Sequence, residues 1–378
     1  MGDGAEIIRP LAATINLASV RHNVRFLNGL TPPGCRLMAV VKANAYGHGD
    51  VEVSRAALDA GADCLAVALV EEAVRLRASG LDCPVFVLFE PPPDAARLVV
   101  RHDLTCTVYT SEMAEALSEA ALSVGRRARV HIKVDTGMRR VGVYPDEVRG
   151  FAARLGGLAG LEVEGVYTHF AVAADPGDPF TERQMDLFDA AADEAETALV
   201  RTLVRHAAGS AGVLAFPRSH YNMVRPGIAI YGLPPSAAFA GSGGLRPAMS
   251  LGGRVALVRK VRAGEGVSYG LAFAPERDTW IATLPLGYAD GLSRLLSGRA
   301  EVIIEGRRRP VVGVICMDLC MVDLGTEPVP AGAPFTVIGK QGDEEITIDE
   351  IASRLGTINY EVACMVSSRV PRVHVDCE

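Results

Sequence analysis

Between Arg36 and Gly232 the chain alternates between short apolar runs and longer segments of helical spacing. The runs are RLMAVVKA, CLAVA, PVFVLF, TCTVY, RVHIKVD, LEVEGVYTHF, LVRHAAG and MVRPGIAIYG. Between most of them lie Ala/Leu/Glu/Arg-rich stretches such as VEVSRAALDAG, VEEAVRLRASG and SEMAEALSEAALSVG. Repeated strand–helix units call for a parallel sheet. Eight of them favour closure into an α/β fold of the (β/α)8 TIM-type barrel class. An open, doubly wound sheet is the alternative, but the GxGxxG signature that often follows its first strand is missing.

The pattern then changes. PPSAAFAGSGGLRP, residues 234–247, is small, flexible and proline-containing, and reads as a linker. Beyond it, MSLGGRVALVRKV, WIATLPLGYADG, AEVIIEGRRRPVVGVICMDLCMVDL and PFTVIGKQGDEEITI alternate strand-like runs with Gly/Pro/Asp turns. We expect a barrel over 10–240 and a β-rich C-terminal domain over 241–378. A strand-like stretch at about 11–20, containing TINLASV, is placed with the second domain. A length of 378 residues accommodates two or three domains, and 49% hydrophobic content supplies their cores.

Charge and cysteine usage narrow the function classes. The net charge is −7 and no long basic run occurs. Arg307, Arg308 and Arg309 follow Glu305-Gly306 and read as a solvated hairpin tip, so nucleic acid is not an expected partner. The N-terminus lacks a basic-then-apolar segment, and no apolar stretch approaches the roughly 20 residues of a membrane span. None of the eight cysteines forms a CxxC pair. They read as reduced core residues of a cytoplasmic protein. Cys316 and Cys320 lie four apart with no histidine or second pair nearby, so no metal site is expected.

Barrel enzymes gather their chemistry at the C-terminal ends of the strands. Lys42 falls at the end of the first run. Lys133 and Asp135 lie in the fifth, followed by Arg139 and Arg140. His169 ends the sixth, His206 lies in the seventh and Arg225 in the eighth. Any one of these is more often an ordinary strand-end residue than a catalyst; their shared position points to a pocket. Ser210 in GSAG and Gly227 in RPGI occupy the loops where barrels bind phosphate through backbone N–H groups. Phosphate turns also serve sugar-phosphate enzymes. Combined with a lysine on the first strand, they suggest a phosphorylated aldehyde held as an imine, which pyridoxal 5'-phosphate satisfies.

VVKANAYGHG, KVDTGM with Arg140-Val141-Gly142, YTHF, MVRPGIAIYG, VSYG, LPLGYADG, VICMD and TINYEV resemble, in order, the motifs of alanine racemases. They span Val40 to Val362. The resemblance implies a pyridoxal-phosphate barrel joined to a β domain, working as a homodimer with active sites shared between chains. It implies that Lys42 carries the cofactor and that Lys42 and Tyr269 are acid/bases on opposite faces of the substrate. Tyr46, Ser210, Gly227, Ile228 and Tyr360 match positions that hold the phosphate. Arg225 matches the residue facing the pyridine nitrogen, and His169 the one supporting it. Arg140 and Met317 match positions near the substrate carboxylate, and Tyr288 an entrance residue. Lys133 matches a lysine often found as N6-carboxylysine.

These residue types suit a racemase. Two acid/bases on opposite faces of one carbon remove a proton from one side and return it to the other. Lysine and tyrosine both have unperturbed pKa values of about 10, so each needs its value lowered to act as a base near neutrality. Arg225 has no acceptor and cannot take a proton, so it leaves a ring nitrogen facing it unprotonated. Two positions depart from the family pattern. Gly209 stands where asparagine is common, and Arg139 where a small residue or asparagine is usual. The alternatives are a serine or broad-range amino-acid racemase and a non-catalytic pyridoxal-phosphate carrier.

Overall fold

A computed structural model describes residues 9–241 and 243–377. By its internal contacts the chain divides into two units. One takes Ala18–Ala45 and Gly49–Pro247; the other takes the rest of the described chain, including Tyr46–His48. The first strand, β1 (Leu11–Asn16), belongs to the latter unit, and Leu17–Gly29 after it is helical rather than a continuation of the strand.

The barrel unit closes through eight parallel strands: β2 (Arg36–Val40), β3 (Cys64–Val67), β4 (Val85–Val87), β5 (Thr105–Val108), β6 (Ala128–Lys133), β7 (Leu161–Tyr167), β8 (Val204–His206) and β9 (Met223–Val224). Each of the expected runs supplies one strand. Side chains on β3, β4 and β5 are buried throughout, because both faces of a barrel strand are covered. The helices bury one stripe each. Over Phe180–Leu199 the buried positions include Thr181, Gln184, Met185, Phe188, Ala191, Ala192 and Ala195, the spacing of an amphipathic helix. The strands are shorter than the runs. β2 stops before Lys42, β7 before His169 and β9 before Arg225, so these three residues stand just beyond strand ends. The end of the expected linker is tied down at Arg246. The Asn23 side-chain amide donates to the carbonyls of Ile230 and Arg246, and its oxygen accepts the Arg246 N–H at 2.8 Å.

The other unit is built on one ten-stranded sheet. Its further strands are β10 (Met249–Arg254), β11 (Leu257–Val261), β12 (Thr279–Leu284), β13 (Glu301–Ile304), β14 (Arg307–Val312), β15 (Cys320–Gly325), β16 (Pro334–Gln341), β17 (Glu344–Ile346) and β18 (Arg372–Val375). The order is β11-β12-β15-β14-β13-β16-β10-β1-β18, with β17 paired to β16. β1 runs antiparallel to β10 and parallel to β18. Buried and partly exposed residues alternate along β1 and β15, the signature of strands with one covered face.

Two expectations need correction. Arg307–Arg309 are not a hairpin tip. The turn uses only Glu305 and Gly306, both left-handed (φ 51° and 71°), as a two-residue hairpin requires. The arginines lie in β14, where Arg308 pairs with Glu301, Glu344 and Glu350. The cysteines are all free, but only Cys64, Cys106 and Cys320 are buried, while Cys364 and Cys377 are exposed. Among the described residues no helix is long and apolar enough to cross a membrane.

Candidate active site

Lys42 begins an irregular turn. Ala43, Asn44, Ala45 and Tyr46 all have positive φ, between 52° and 54°. For residues with a Cβ this conformation costs about 1–2 kcal/mol each, least for asparagine. Strain of this kind persists only where the surroundings hold it. Glu72 supplies one hold. Its Oε1 accepts the Ala43 N–H at 2.6 Å, while Oε2 accepts the N–H groups of Ala68 and Leu69. Asn44 supplies another, its carbonyl accepting from Gly49 and its side chain from Asp50. Lys42 itself is partly buried.

Inside the barrel, the ends of β6, β7 and β8 place polar groups in register. Lys133 pairs across from Tyr167, and Tyr167 from His206. The Lys133 ammonium lies 4.5 Å from the centre of the Tyr167 ring, and the Arg225 guanidinium 5.1 Å. The Tyr167 ring stacks on His206 with centres 4.7 Å apart, and its hydroxyl donates to the Leu88 carbonyl at 3.0 Å. Burial, then the charges of Arg225 and Arg140, pull the Lys133 amine down to about 7, so near neutrality the uncharged form is substantially populated.

Arg225 is the fixed cation of this group. It is fully enclosed, and burial lowers its pKa only to about 10. One terminal nitrogen, Nη1, donates to His206 Nδ1 at 2.8 Å. The other, Nη2, donates to the carbonyls of Thr168 at 2.7 Å and Ala207 at 3.0 Å, with His169 Nδ1 at 3.4 Å. Among the described residues, Nε has no protein partner. Burial, then Arg225, holds His169 and His206 well below the usual histidine range, so both rings are neutral. The expected support from His169 is the longer contact; His206 holds the guanidinium more closely.

The phosphate-type turns lie beside each other. Ser210 opens a short helix, and its hydroxyl oxygen accepts the N–H groups of Gly227 at 3.0 Å and Ala229 at 3.2 Å. The Ile228 side chain is buried, so it faces the core. Gly209 has an ordinary φ of −83°, and a Cβ there would meet His169 at 3.4 Å, normal contact. The backbone therefore does not require glycine. Arg139 does occupy a special position: its φ is 55°, a conformation that favours glycine or asparagine. Its N–H is held by Asp135 Oδ1 at 3.0 Å, and its guanidinium lies over the Tyr144 ring. Arg140 beside it is exposed.

The sheet unit gathers the other site residues. The rings of Tyr46 and Tyr360 are 6.1 Å apart. Burial raises the Tyr46 hydroxyl far above its usual value and pushes Tyr360 up to about 12, so both remain hydrogen-bond donors. Tyr269 follows Ser268, whose hydroxyl bridges the Val314 carbonyl at 2.7 Å and the Val314 N–H at 3.1 Å. The Tyr288 turn docks on the same loop, Tyr288 and Ala289 donating to the carbonyls of Cys316 and Met317, each at 3.0 Å. A Cβ at Gly287 would lie 2.2 Å from the Met317 carbonyl oxygen. VSYG, GYADG and VICMD are thus one braced cluster. Tyr269 is 70% exposed, Met317 52% and Tyr288 41%.

Residue-level reading missed Glu72, His131, Glu164 and Tyr167, and gave His206 a position without a role. The two-residue alternation of β6, which places His131 on the same side as Lys133, was the available signal for His131.

Comparison with known proteins places this architecture. Residues 15–235 match the model of the alanine racemase N-terminal domain, and residues 248–374 that of the alanine racemase C-terminal domain. An alanine racemase of Symbiobacterium thermophilum is 48% identical over 97% of each chain. Alanine racemase 1 of Bacillus subtilis is 44% identical over 96% of this chain and 92% of its own. The crystal structure of alanine racemase from D-cycloserine-producing Streptomyces lavendulae superposes with a TM-score of 0.93 at 38% identity, covering 98% of both chains. The chain belongs to the alanine racemase family.

Proposed function

We propose that this protein interconverts L-alanine and D-alanine, using pyridoxal 5'-phosphate carried on Lys42. The observation that carries the cofactor reading is Arg225. Its guanidinium donates from Nη1 to His206 and from Nη2 to two carbonyls, which leaves Nε and the second Nη1 N–H for a ligand. A cation so placed donates and cannot take a proton, so it suits a ring nitrogen that accepts. Ser210 with the Gly227 and Ile228 backbone, and the hydroxyls of Tyr46 and Tyr360, suit a phosphate. The cofactor, when bound, supplies the sink for the electron pair left as the substrate loses its α-proton.

The chain's own groups do the rest. Lys42 Nζ takes or returns the proton on one face and Tyr269 Oη on the other. Arg225 donates a hydrogen bond and no proton, which restrains the electron sink and limits side reactions such as transamination. Arg140 and Met317 border the substrate carboxylate, and Tyr288 the entrance. The uncharged Lys133 amine is the form that adds carbon dioxide, releasing a proton and giving the carbamate anion beside Arg140. We place the protein in the cytoplasm, where eight unpaired thiols are stable. We infer a homodimer in which Tyr269 of the partner subunit completes each site; the exposure of Tyr269 and Met317 supports this reading.

The test is an absorption spectrum of the purified protein, borohydride reduction with peptide mapping, and an assay of L-alanine conversion with L-serine as competitor. The reading expects cofactor on the Lys42 peptide and preference for alanine. Label on another lysine, or faster conversion of serine, contradicts it.

A further inference from the structure

The hydrogen bonding behind Arg225 does not end at His206. His206 Nε2 lies 2.7 Å from His131 Nδ1, and both rings are buried. His131 Nε2 lies 3.8 Å from Oε2 of Glu164, whose side chain is 35% exposed. Four side chains on β6, β7, β8 and after β9 therefore form one file, from the pocket side of the barrel to a carboxylate at its wall.

Chemistry fixes the direction of both hydrogen bonds in this file and the polarity of the longer contact from His131 to Glu164. A guanidinium only donates, so His206 Nδ1, which faces it, carries no proton. A neutral His206 then has its proton on Nε2 and donates it to His131. His131 Nδ1 must accept, so its own proton is on Nε2, facing Glu164. An ionised carboxylate only accepts. The two ends demand the same polarity, Arg225 to His206 to His131 to Glu164. A proton added to either ring would set two N–H groups against each other. The charged groups around the file are Arg36 on β2, Arg129 and Lys133 on β6, Glu164 on β7 and Arg225. Burial foremost keeps both rings below the usual histidine range.

Two backbone features build the file. The β6–β7 register shifts between Val130 and His131, so that Val130 faces Val163 while His131 faces Gly165. Glu164 is the extra residue of that bulge, and bulges re-aim side chains. Gly165 makes room for the ring: a Cβ there would lie 2.6 Å from His131 Nδ1 and 2.7 Å from the Val204 carbonyl.

We infer that Glu164, acting through His131 and His206 as two neutral imidazoles of fixed tautomer, is a positioning residue that locks the orientation of Arg225. Two imidazoles separate Glu164 from Arg225. The inference about tautomers stands on geometry alone; its effect on turnover rests on the reading of Arg225 as the partner of the cofactor ring.

The experiment is 15N NMR of histidine-labelled full-length protein, with and without pyridoxal phosphate, from pH 6 to 8.5, the two rings assigned with His131→Gln and His206→Gln. Both rings should be neutral Nε2–H tautomers throughout. An Nδ1–H tautomer or an imidazolium at either ring overturns the proposal in the wild-type protein itself, whatever the enzyme catalyses. The second arm is turnover. Glu164→Leu should leave the tautomers that Arg225 dictates, but remove the acceptor facing His131 Nε2 and lower kcat about tenfold with KM unchanged. Glu164→Gln, whose carbonyl oxygen still accepts, should restore most of kcat. Unchanged kcat in Glu164→Leu, or loss in KM alone, overturns the positioning role. A protein with ordered tautomers but no racemase activity would instead contradict the proposed function.

Discussion

The barrel interior and the exposed loop cluster of the sheet unit hold their functional groups by opposite means. In the barrel, Lys133, Tyr167, His206 and Arg225 are enclosed, with both cations over the Tyr167 ring, His206 stacked on it and Arg225 hydrogen-bonded to His206. In the sheet unit, Tyr269, Tyr288 and Met317 are presented outward on turns braced at their backbone and by the Ser268 hydroxyl. The first arrangement fixes electrostatics before any ligand arrives. The second fixes the path of the chain and leaves the side chains without a covering surface of their own. The contrast fits a barrel that tunes the chemistry and a set of loops that completes another surface.

Removing the group on which everything else converges should have the largest effect. Lys42→Ala should reduce racemisation by roughly 10⁴-fold or more, because the proposed function gives this residue both the cofactor and a proton to carry. It should leave the fold intact, since Lys42 is only partly buried. Turnover and circular dichroism check this. Tyr269→Phe should follow, with a loss of roughly 10²–10⁴-fold in solvent deuterium uptake from L-alanine and little change in cofactor affinity. Uptake from L-alanine at the wild-type rate would remove Tyr269 from its role.

The third variant sharpens the contrast through stability. Folded Lys133 has a pKa of about 7 against an ordinary 10.5, so between these values the unfolded chain binds the extra proton and stability rises with pH. Burial of the amine thus costs at most about 5 kcal/mol at neutral pH, at about 1.4 kcal/mol per pKa unit. Lys133→Met should be more stable than wild type in carbon dioxide-free buffer at pH 7, and that advantage should shrink towards pH 10. Urea unfolding at both pH values measures it; an advantage independent of pH would mean the amine is not neutral in the folded barrel. The smallest effect is expected at Arg139, where φ is 55°. Arg139→Gly should add stability of about 1 kcal/mol by relieving the left-handed conformation, without altering the barrel interior.

The barrel was legible because each strand is a short apolar run between helical segments, and a repeated unit leaves few topologies. Lys42, Arg225 and Tyr269 were singled out because motifs carry them. The left-handed turn after Lys42 was not, since Ala43, Ala45 and Tyr46 are poor residues for that conformation and the hold from Glu72 is tertiary. His131 and Glu164 were missed for a related reason. Their pairing depends on a bulge and on a glycine that admits a ring, and neither leaves a mark in hydrophobic spacing. Arg307–Arg309 misled because three adjacent charges look like a turn, when the turn needs only the two residues before them.

The central claim is that barrel groups and loop groups of different chains complete one site. Complementation tests it directly. Lys42→Ala and Tyr269→Ala chains, each inactive alone, are mixed under conditions that permit subunit exchange, and mixed dimers are quantified by mass. If sites are shared, a mixed dimer carries one site with both defects and one with neither, and activity should return to about a quarter of wild type at statistical exchange. No recovery in a sample shown to contain mixed dimers would mean that each chain completes its own site, contradicting the account.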